Sequence, residues 1–378
     1  MPANTPAFRL RDLTGPQLGA AIQATHIRGL DAFRAIAVLL VLLGHGIEAD
    51  PAWSPWLGPL ASLGVKLFFV LSGLLITRLL LDEIDRSERI DLMRFYRRRF
   101  GRLMPAFYLY LVVAIGILLV RGKPVPWDAV ASAVLYVVNY FQAFNGAPNH
   151  IVSHCWSLAV EEQFYVIWPL LLAWVMRRRW QPERVLVIAI VTIWLWRLGL
   201  VLFTDTSEAY LYRALDTRAD ELLMGCLLAV LTRQPAWQAR LASCLRAPGL
   251  VPALIVMLYV STTFTGDDRL LRFGIAFMFD TVFIGVLVLA VSALATHGEG
   301  WIARLLNHAT LVRVGQVSYF MYLFHGLIMH TSVRLIERFT GSFALGLLGA
   351  IALVYFAARV SFVSFESPMR RWVTGSSR

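Results

Sequence analysis

The sequence has 378 residues, of which 58% are hydrophobic and only 16% are charged. A soluble domain carries about 25% charged residues, so this composition excludes a soluble globular protein and indicates a chain that crosses a membrane several times. The formal net charge of +11 would suggest nucleic-acid binding in a soluble chain. Here it indicates cytoplasmic loops that follow the positive-inside rule, so we expect membrane lipid and no nucleic acid as a partner.

Ten apolar stretches are long enough to cross about 30 Å of hydrocarbon as helices. Residues 1–25 contain no apolar core of a signal peptide, so we expect the first stretch to act as the insertion signal. The ten predicted spans lie near residues 30–47, 60–81, 103–120, 156–176, 183–203, 215–232, 249–264, 271–296, 313–335 and 342–364.

An eleventh apolar stretch, residues 127–144, decides the topology. The basic loop 82–102 predicts a cytoplasmic position, which also places the N-terminus in the cytoplasm. If 127–144 crossed the membrane, the arginines of loop 177–179 would fall outside, against the rule; if it re-enters or lies in the outer leaflet, they fall inside. We therefore predict an all-α polytopic membrane helical bundle of about ten transmembrane helices with both termini cytoplasmic.

The first predicted span carries an unusual set of charges. Arg28, Asp31 and Arg34 are spaced three residues apart at its start, where they can pair along a helix, and His45 closes it. Arg34 and His45 are eleven residues apart, which places them on nearly one face and about 16 Å apart along the axis. This pattern predicts a route for an elongated anionic molecule.

The next two predicted spans add a small polar pair and an arginine pair. Ser72 and Gly73 lie in the middle of the second span, where a helix-packing contact and a polar site are the two alternatives. Arg99 and Arg102 lie one turn apart at the mouth of the third span. Their guanidinium groups suit phosphates, although an ordinary stop signal is the alternative interpretation.

Two adjacent carboxylates, Glu161 and Glu162, follow Trp156 near the start of another predicted span and precede Tyr165. The alternative to a function is that they lie in outer-face water, where the helix dipole favours them. Against it, they lie about a turn inside the helix among aromatic residues. A buried carboxylate pair has shifted ionisation and suits proton transfer.

Three further polar residues lie within apolar stretches. Arg218 and Asp220 open one span, where pairing that holds the helix in register and substrate contact are equally compatible with the sequence. His325 lies on one helical stripe with Ser318 and Tyr322, and a membrane histidine of this kind either bonds a neighbouring helix or takes part in chemistry.

Together these residues predict acyl transfer to a hydroxyl group by general-base catalysis. His45 would take the proton, and Glu161 or Glu162 would orient the imidazole. The cytoplasmic arginines would hold the phosphates of a coenzyme A donor. The three cysteines form no CxxC pair, so no metal site is expected. A lipid-linked sugar transporter is the rival from another class, and it would not need the histidine and carboxylates.

Several motifs in order along the chain resemble the acyltransferase 3 family of integral membrane O-acyltransferases. The resemblance covers nearly the whole sequence and divides it into a cytoplasmic tail (1–27), one transmembrane domain (28–372) and a second tail (373–378). The motifs are RGLDAFRAIA from Arg28, GH ending at His45, FFVLSGLLIT from Phe68, RFGRLMP from Arg99, WSLAVEEQFY from Trp156, RAD from Arg218, SY from Ser318, YLFH ending at His325 and ESP from Glu366.

The resemblance implies transfer of an acyl group, usually acetyl from acetyl-CoA, across the bacterial inner membrane to a glycan or lipid-linked oligosaccharide of the cell envelope. It implies that Arg34 (or Arg28) and His45 are essential, that Arg99 and Arg102 matter, and that acyl-CoA is a co-substrate and no cofactor is permanently bound. Some members carry an appended extracytoplasmic domain, which leaves open whether a separate partner completes transfer here. Acylation of a small secreted or antibiotic-like molecule is the alternative.

Overall fold

The computed structural model describes residues 8–24, 27, 29–48, 50, 52–146, 148, 151–264, 268–298 and 300–369. Arg28, which we expected in the site, lies outside the described residues. The described part is all-helical and contains no β-strand. The fold is therefore the predicted helical one, and the remaining question is which helices cross the membrane.

Eighteen α-helices form the described part, with short 3₁₀ turns at Leu10–Asp12 and Ser153–Cys155 and π-helical turns at Leu270–Ala276 and Phe362–Glu366. The helices are α1 Gly15–Gln23, α2 Leu30–Ile47, α3 Ser54–Leu57, α4 Leu60–Ser87, α5 Leu92–Val120, α6 Trp127–Val134, α7 Val138–Phe144, α8 Trp156–Arg177, α9 Pro182–Phe203, α10 Glu208–Arg213, α11 Leu215–Leu231, α12 Pro235–Leu245, α13 Leu250–Thr263, α14 Phe277–His297, α15 Trp301–Leu306, α16 Ala309–Gln316, α17 Ser318–Thr340 and α18 Phe343–Ser361.

Seven helical segments of the described chain are long and apolar enough to cross a membrane, and the bent pair α12–α13 makes eight. The predicted count of ten is not confirmed, and the orientation of the termini stays a prediction. Two predicted spans are not among these apolar helices. They are α11, which has 17 residues and four charged side chains, and α17, which carries two histidines. Both helices are rich in buried polar groups, which lower their hydropathy.

The ambiguous stretch 127–144 forms two short helices, α6 and α7, of 8 and 7 residues. Each is about 12 Å long or less, so neither crosses the hydrocarbon alone. The turn between them includes Tyr136 in a left-handed conformation (φ 54°). This geometry agrees with the alternative in which the segment does not span.

The centre of the bundle is α4, which packs against α2 and α11. Gly73 on α4 and Gly225 on α11 allow the closest approach, because a Cβ at Gly73 would lie 1.8 Å from the carbonyl oxygen of Leu222. Gly44 allows a similarly close approach between α2 and the start of α4, where a Cβ would lie 2.7 Å from the Ala61 side chain. Gly73 is thus a helix-packing contact, while Ser72 next to it faces a cavity.

Residues 8–24, which precede the first apolar helix, are folded against the bundle. Thr14 caps α1 by accepting from the backbone of Gln17 in a capping box. Leu13, Leu18 and Ile22 are buried where α1 packs on α12 and α14. This segment therefore covers one end of the bundle.

Candidate active site

Two cavities contain most of the predicted site residues. The first, which we call the arginine cavity, is bounded by α2, α4, α5, α8 and α17. The second, the histidine cavity, is bounded by α2, α4, the start of α8, α10, α13, the π turn Leu270–Ala276, α14 and α17. Both are lined by Val65 and Tyr322, so these two side chains form the wall between them. The arginine cavity contains Arg34, Ser72, Arg99, Arg102, Glu161 and Tyr165, and the histidine cavity contains His45, His154, Trp156, Tyr212 and Arg213.

Arg99 is fixed in the arginine cavity by two contacts. Its guanidinium carbon lies 3.4 Å from the centre of the Tyr165 ring, and its Nη2 lies 3.5 Å from Glu161 Oε1. The same carboxylate oxygen accepts hydrogen bonds from Ser72 Oγ and Tyr165 Oη. These three partners hold the half-buried carboxylate in one position, and it orients Arg99.

Arg34 and Arg102 are the other two cations of this cavity. Among the described residues, neither forms a hydrogen bond or a direct ion pair, although Asp31 and Glu161 interact electrostatically with Arg34, and Glu161 and Glu366 with Arg102. Both also line a third cavity with Asp31, Gln316, Tyr319, Phe362 and Glu366, so the two cavities meet at the arginines. Two neighbouring guanidinium groups at a cavity wall, neither in direct contact with a carboxylate, are available to an anionic ligand.

His45 is held in one tautomer at the wall of the histidine cavity. Its Nδ1 lies 3.0 Å from the carbonyl oxygen of Val41. A carbonyl only accepts, so a neutral His45 carries its proton on Nδ1 and leaves Nε2 as an acceptor. This is the protonation state that a general base needs.

His45 is the first of three neighbouring imidazoles. The His45 and His325 rings lie 5.0 Å apart, and His325 and His154 are also separated by 5.0 Å. His154 Nε2 donates to the carbonyl of Leu323, and His325 Nδ1 donates to the carbonyl of Tyr322. Sequence reasoning did not select His154, although its position two residues before Trp156 could have drawn attention to it.

The predicted contact between His45 and a carboxylate is wrong. Glu161 faces the arginine cavity, and Glu162 lines a separate groove with Tyr96 and Met104. The physical reason is that α5 and α8 run in opposite directions: Tyr96 bonds the carbonyl of Val166, whereas Tyr110, further along α5, packs on His154 just before α8. This packing brings Glu161 to Arg99 and away from the imidazoles.

Arg218 and Asp220 are fully buried and belong to different ion pairs. Arg218 Nη2 lies 3.0 Å from Glu221 Oε2, and its guanidinium carbon lies 4.9 Å from the centres of the Tyr212 and Phe277 rings. Asp220 pairs with Arg197 at 3.2 Å and accepts from Trp194 Nε1 at 2.8 Å. These contacts favour the alternative in which the charges hold the helices in register.

Trp156 belongs to the wall that Arg218 supports. Its ring lies 5.1 Å from that of Tyr212 and 6.2 Å from that of Phe69, and the Arg218 guanidinium carbon lies 5.5 Å from its centre. The aromatic wall of the histidine cavity is thus held in place by a buried ion pair.

Similarity to known proteins agrees with this geometry. A family model described as an acyltransferase domain matches residues 27–359. The chain belongs to the acyltransferase 3 family. The matched region contains every predicted site residue, from Arg28 to His325.

Several relatives of this chain are named as O-acetyltransferases. The chain is 29% identical over 368 residues to the peptidoglycan O-acetyltransferase OatA of Listeria monocytogenes, covering 92% of this chain and 56% of that protein. It is 30% identical over 366 residues to the O-acetyltransferase OatA of Staphylococcus aureus, covering 92% and 57%. A putative O-acetyltransferase of Staphylococcus aureus is 33% identical over 327 residues, covering 79% and 50%. The chain thus spans little more than half the length of these relatives, and no solved structure matches it.

Proposed function

We propose that this multi-pass membrane protein is an O-acyltransferase of the bacterial inner membrane. It takes an acyl group, acetyl by analogy with its relatives, from acyl-CoA in the arginine cavity and transfers it to a hydroxyl of an envelope glycan in the histidine cavity. The observation that carries this proposal is the shared wall of Val65 and Tyr322 between a cavity lined by three guanidinium groups and a cavity lined by an imidazole whose Nδ1 bonds a backbone carbonyl. The names of the relatives support a glycan acceptor.

The arginine cavity would bind the donor. Arg34 and Arg102 line this cavity without a direct ion pair among the described residues, and they would contact the phosphates of coenzyme A. Glu161 would act as a positioning residue that keeps Arg99 stacked on Tyr165. Arg34 and His45 lie about 16 Å apart along α2, so a donor with a long thiol arm can bind at the arginines and present its thioester at the wall.

His45 would act as the general base. Nε2 removes the proton of the acceptor hydroxyl as the oxygen attacks the thioester carbonyl, forming the new C–O bond. The C–S bond then breaks, the electron pair leaves on sulfur, and the imidazolium returns the proton to the departing thiolate. The products are the O-acyl ester and free coenzyme A, and no oxidant or further reactant is required.

The test compares this chain with its His45→Ala variant in a host that lacks the gene. Ester-linked acyl groups on envelope polysaccharide are quantified by NMR at matched membrane levels of the protein. We expect the unaltered chain to restore the ester signal and the variant to lose it. His330→Ala is the matched control, because His330 is an exposed histidine of α17, and we expect it to behave as the unaltered chain.

Other outcomes would change the assignment in defined ways. Equal restoration by His45→Ala would contradict the role of His45 as the base. If the unaltered chain changes no polysaccharide ester but consumes acyl-CoA, the acceptor is a small secreted molecule. If it consumes no acyl-CoA at all, a lipid-linked sugar transporter becomes the better assignment.

A further inference from the structure

The histidine cavity has an aromatic wall beside its base. Trp156, Tyr212, Phe277 and Tyr322 all line it, and the Tyr212 ring lies 5.1 Å from Trp156 and 6.2 Å from Phe277. Ligand sites combine aromatic surface with a few placed polar groups that fix orientation. The C–H faces of a pyranose ring fit such a wall, and its hydroxyl groups would then be within reach of His45.

Two buried polar atoms at this cavity lack a partner. Arg213 Nε and Thr263 Oγ1 are inaccessible to solvent and form no hydrogen bond among the described residues. Both residues line the cavity. Buried polar groups are nearly always satisfied, and a ligand bound in this cavity would supply a partner to both atoms.

Arg213 differs from the other cations at this site. Lys66 pairs with Asp280, and Arg272 pairs with Glu208 at 3.5 Å. Arg213 forms no ion pair with a described acidic residue, and burial, together with the nearby Arg218, lowers its pKa. A cation that is removed from water without a compensating anion is costly, and a ligand anion would remove that cost.

One carboxylate, Glu48, also lines the cavity, so the net charge of the lining does not by itself show whether an anion would bind there. Glu48 is exposed, whereas Arg213 is half-buried. Water screens an exposed charge much more strongly than a buried one. Glu48 therefore offsets little of the positive charge that Arg213 brings to the cavity.

We propose that the histidine cavity binds an acceptor sugar that carries a carboxylate, with Arg213 as the residue that recognises it. The guanidinium group pairs with the carboxylate, Thr263 hydrogen-bonds the same sugar unit, and the ring packs on Trp156 and Tyr212. The inference rests on the proposed function, because it assigns the acceptor of that reaction.

Binding to the full chain in lipid nanodiscs, without acyl-CoA, tests the inference. The probes are N-acetylmuramic acid, which has a lactyl carboxylate, glucuronic acid, which has a ring carboxylate, and N-acetylglucosamine, which has neither. We expect at least one acidic sugar to bind about tenfold more tightly than N-acetylglucosamine, the effect of one charge-assisted contact. Which acidic sugar binds identifies the type of carboxylate.

Variants assign the preference to Arg213. Arg213→Gln should abolish the tenfold difference while leaving N-acetylglucosamine binding unchanged, and Arg213→Lys should retain part of it. Arg334→Gln is the control, because Arg334 is an exposed residue of α17 outside the lining of the histidine cavity. Equal binding of all three sugars by the unaltered chain, or an undiminished preference in Arg213→Gln, would overturn the inference.

A second assay separates this inference from the proposed function. Release of coenzyme A from acetyl-CoA is followed with a thiol reagent in the presence of each sugar. A chain that prefers acidic sugars but releases no thiol with any acceptor would contradict the proposed reaction and leave the carboxylate site standing. Thiol release without a preference for acidic sugars would contradict the carboxylate site and leave the proposed reaction standing.

Discussion

The arginine cavity and the histidine cavity differ in the charges that they present. The first has three guanidinium groups and one carboxylate, Glu161. The second has the imidazoles of His45 and His154, each bonded to a backbone carbonyl, together with the charged side chains of Lys66, Arg213, Arg272 and Glu48. On the proposed function, the phosphates of the donor would bind in the first cavity, and proton transfer would take place in the second.

The two cavities are also stabilised differently. Arg99 is held by the single carboxylate of Glu161 and by the Tyr165 ring at a half-exposed site. The histidine cavity is supported by the fully buried pairs Arg218–Glu221 and Arg197–Asp220. Breaking a buried pair costs more than breaking an exposed one. We therefore expect the arginine cavity to tolerate substitution better than the wall of the histidine cavity.

The largest effect on activity should come from His45→Ala. Removing a general base lowers the rate by about 10²–10⁴-fold. Because His45 lies outside the arginine cavity, the Kd for acyl-CoA should change less than twofold in this variant. Equilibrium binding of acyl-CoA, measured beside ester formation, checks both expectations. A large loss of acyl-CoA binding would show that the two cavities are not functionally separate.

For Arg34→Gln we expect the opposite result, in which acyl-CoA binding is weakened and the rate at saturating donor is retained. A charge-assisted hydrogen bond contributes about 1.5–3 kcal/mol, so the KM for acyl-CoA should rise about tenfold to a hundredfold. The kcat at saturating donor should stay within a few-fold, because Arg34 does not contact the reacting atoms. Arg34→Lys is the control that retains charge. A kcat loss as large as that of His45→Ala would contradict a purely binding role.

Glu161→Gln tests the corrected position of the carboxylate. If Glu161 positions Arg99, the variant should raise the KM for acyl-CoA several-fold and leave the pH profile of kcat unchanged. If it acted on His45, kcat would fall and the pH profile would shift. Steady-state kinetics over a range of pH distinguish the two, and Glu162→Gln is the matched control because Glu162 faces another groove.

How much of this site the sequence could predict depends on which contacts are local. Arg34 and His45 lie on one helix, so helical periodicity was sufficient to place them on one face. The pairing of Glu161 with Arg99 joins two helices, and no spacing in the sequence specifies it. The same holds for Asp220 and its partner Arg197. The sequence predicts a function for the acidic pair, but the partner of Glu161 depends on how α5 and α8 pack.

The predicted count of ten spans is not confirmed because two of the ten, α11 and α17, are less apolar than a typical span. Helix α11 and the first half of α17 pack against other helices and carry polar groups for internal contacts. Glu221 of α11 and His325 of α17 are examples, each almost completely buried. The residues that make these helices less apolar are therefore the ones that build the histidine cavity.

The smallest and most specific effect concerns the wall between the cavities. Phe68 lines the arginine cavity, and its ring lies 6.0 Å from that of Tyr322 in the wall. An acyl group presented to His45 must occupy this region, so Phe68 limits its length. Phe68→Ala should keep acetyl transfer within a few-fold and raise the ratio of butyryl to acetyl transfer, measured as competing kcat/KM values.

Leu79→Ala is the control for Phe68→Ala, because Leu79 lines the same cavity but is 59% exposed. It lies eleven residues further along α4, about 16 Å from Phe68, so its truncation enlarges the cavity far from the wall. An equal gain of butyryl transfer in both variants would show that total volume sets the acyl preference. A gain confined to Phe68→Ala would place the thioester carbon beside Tyr322, within reach of His45, where the two cavities meet.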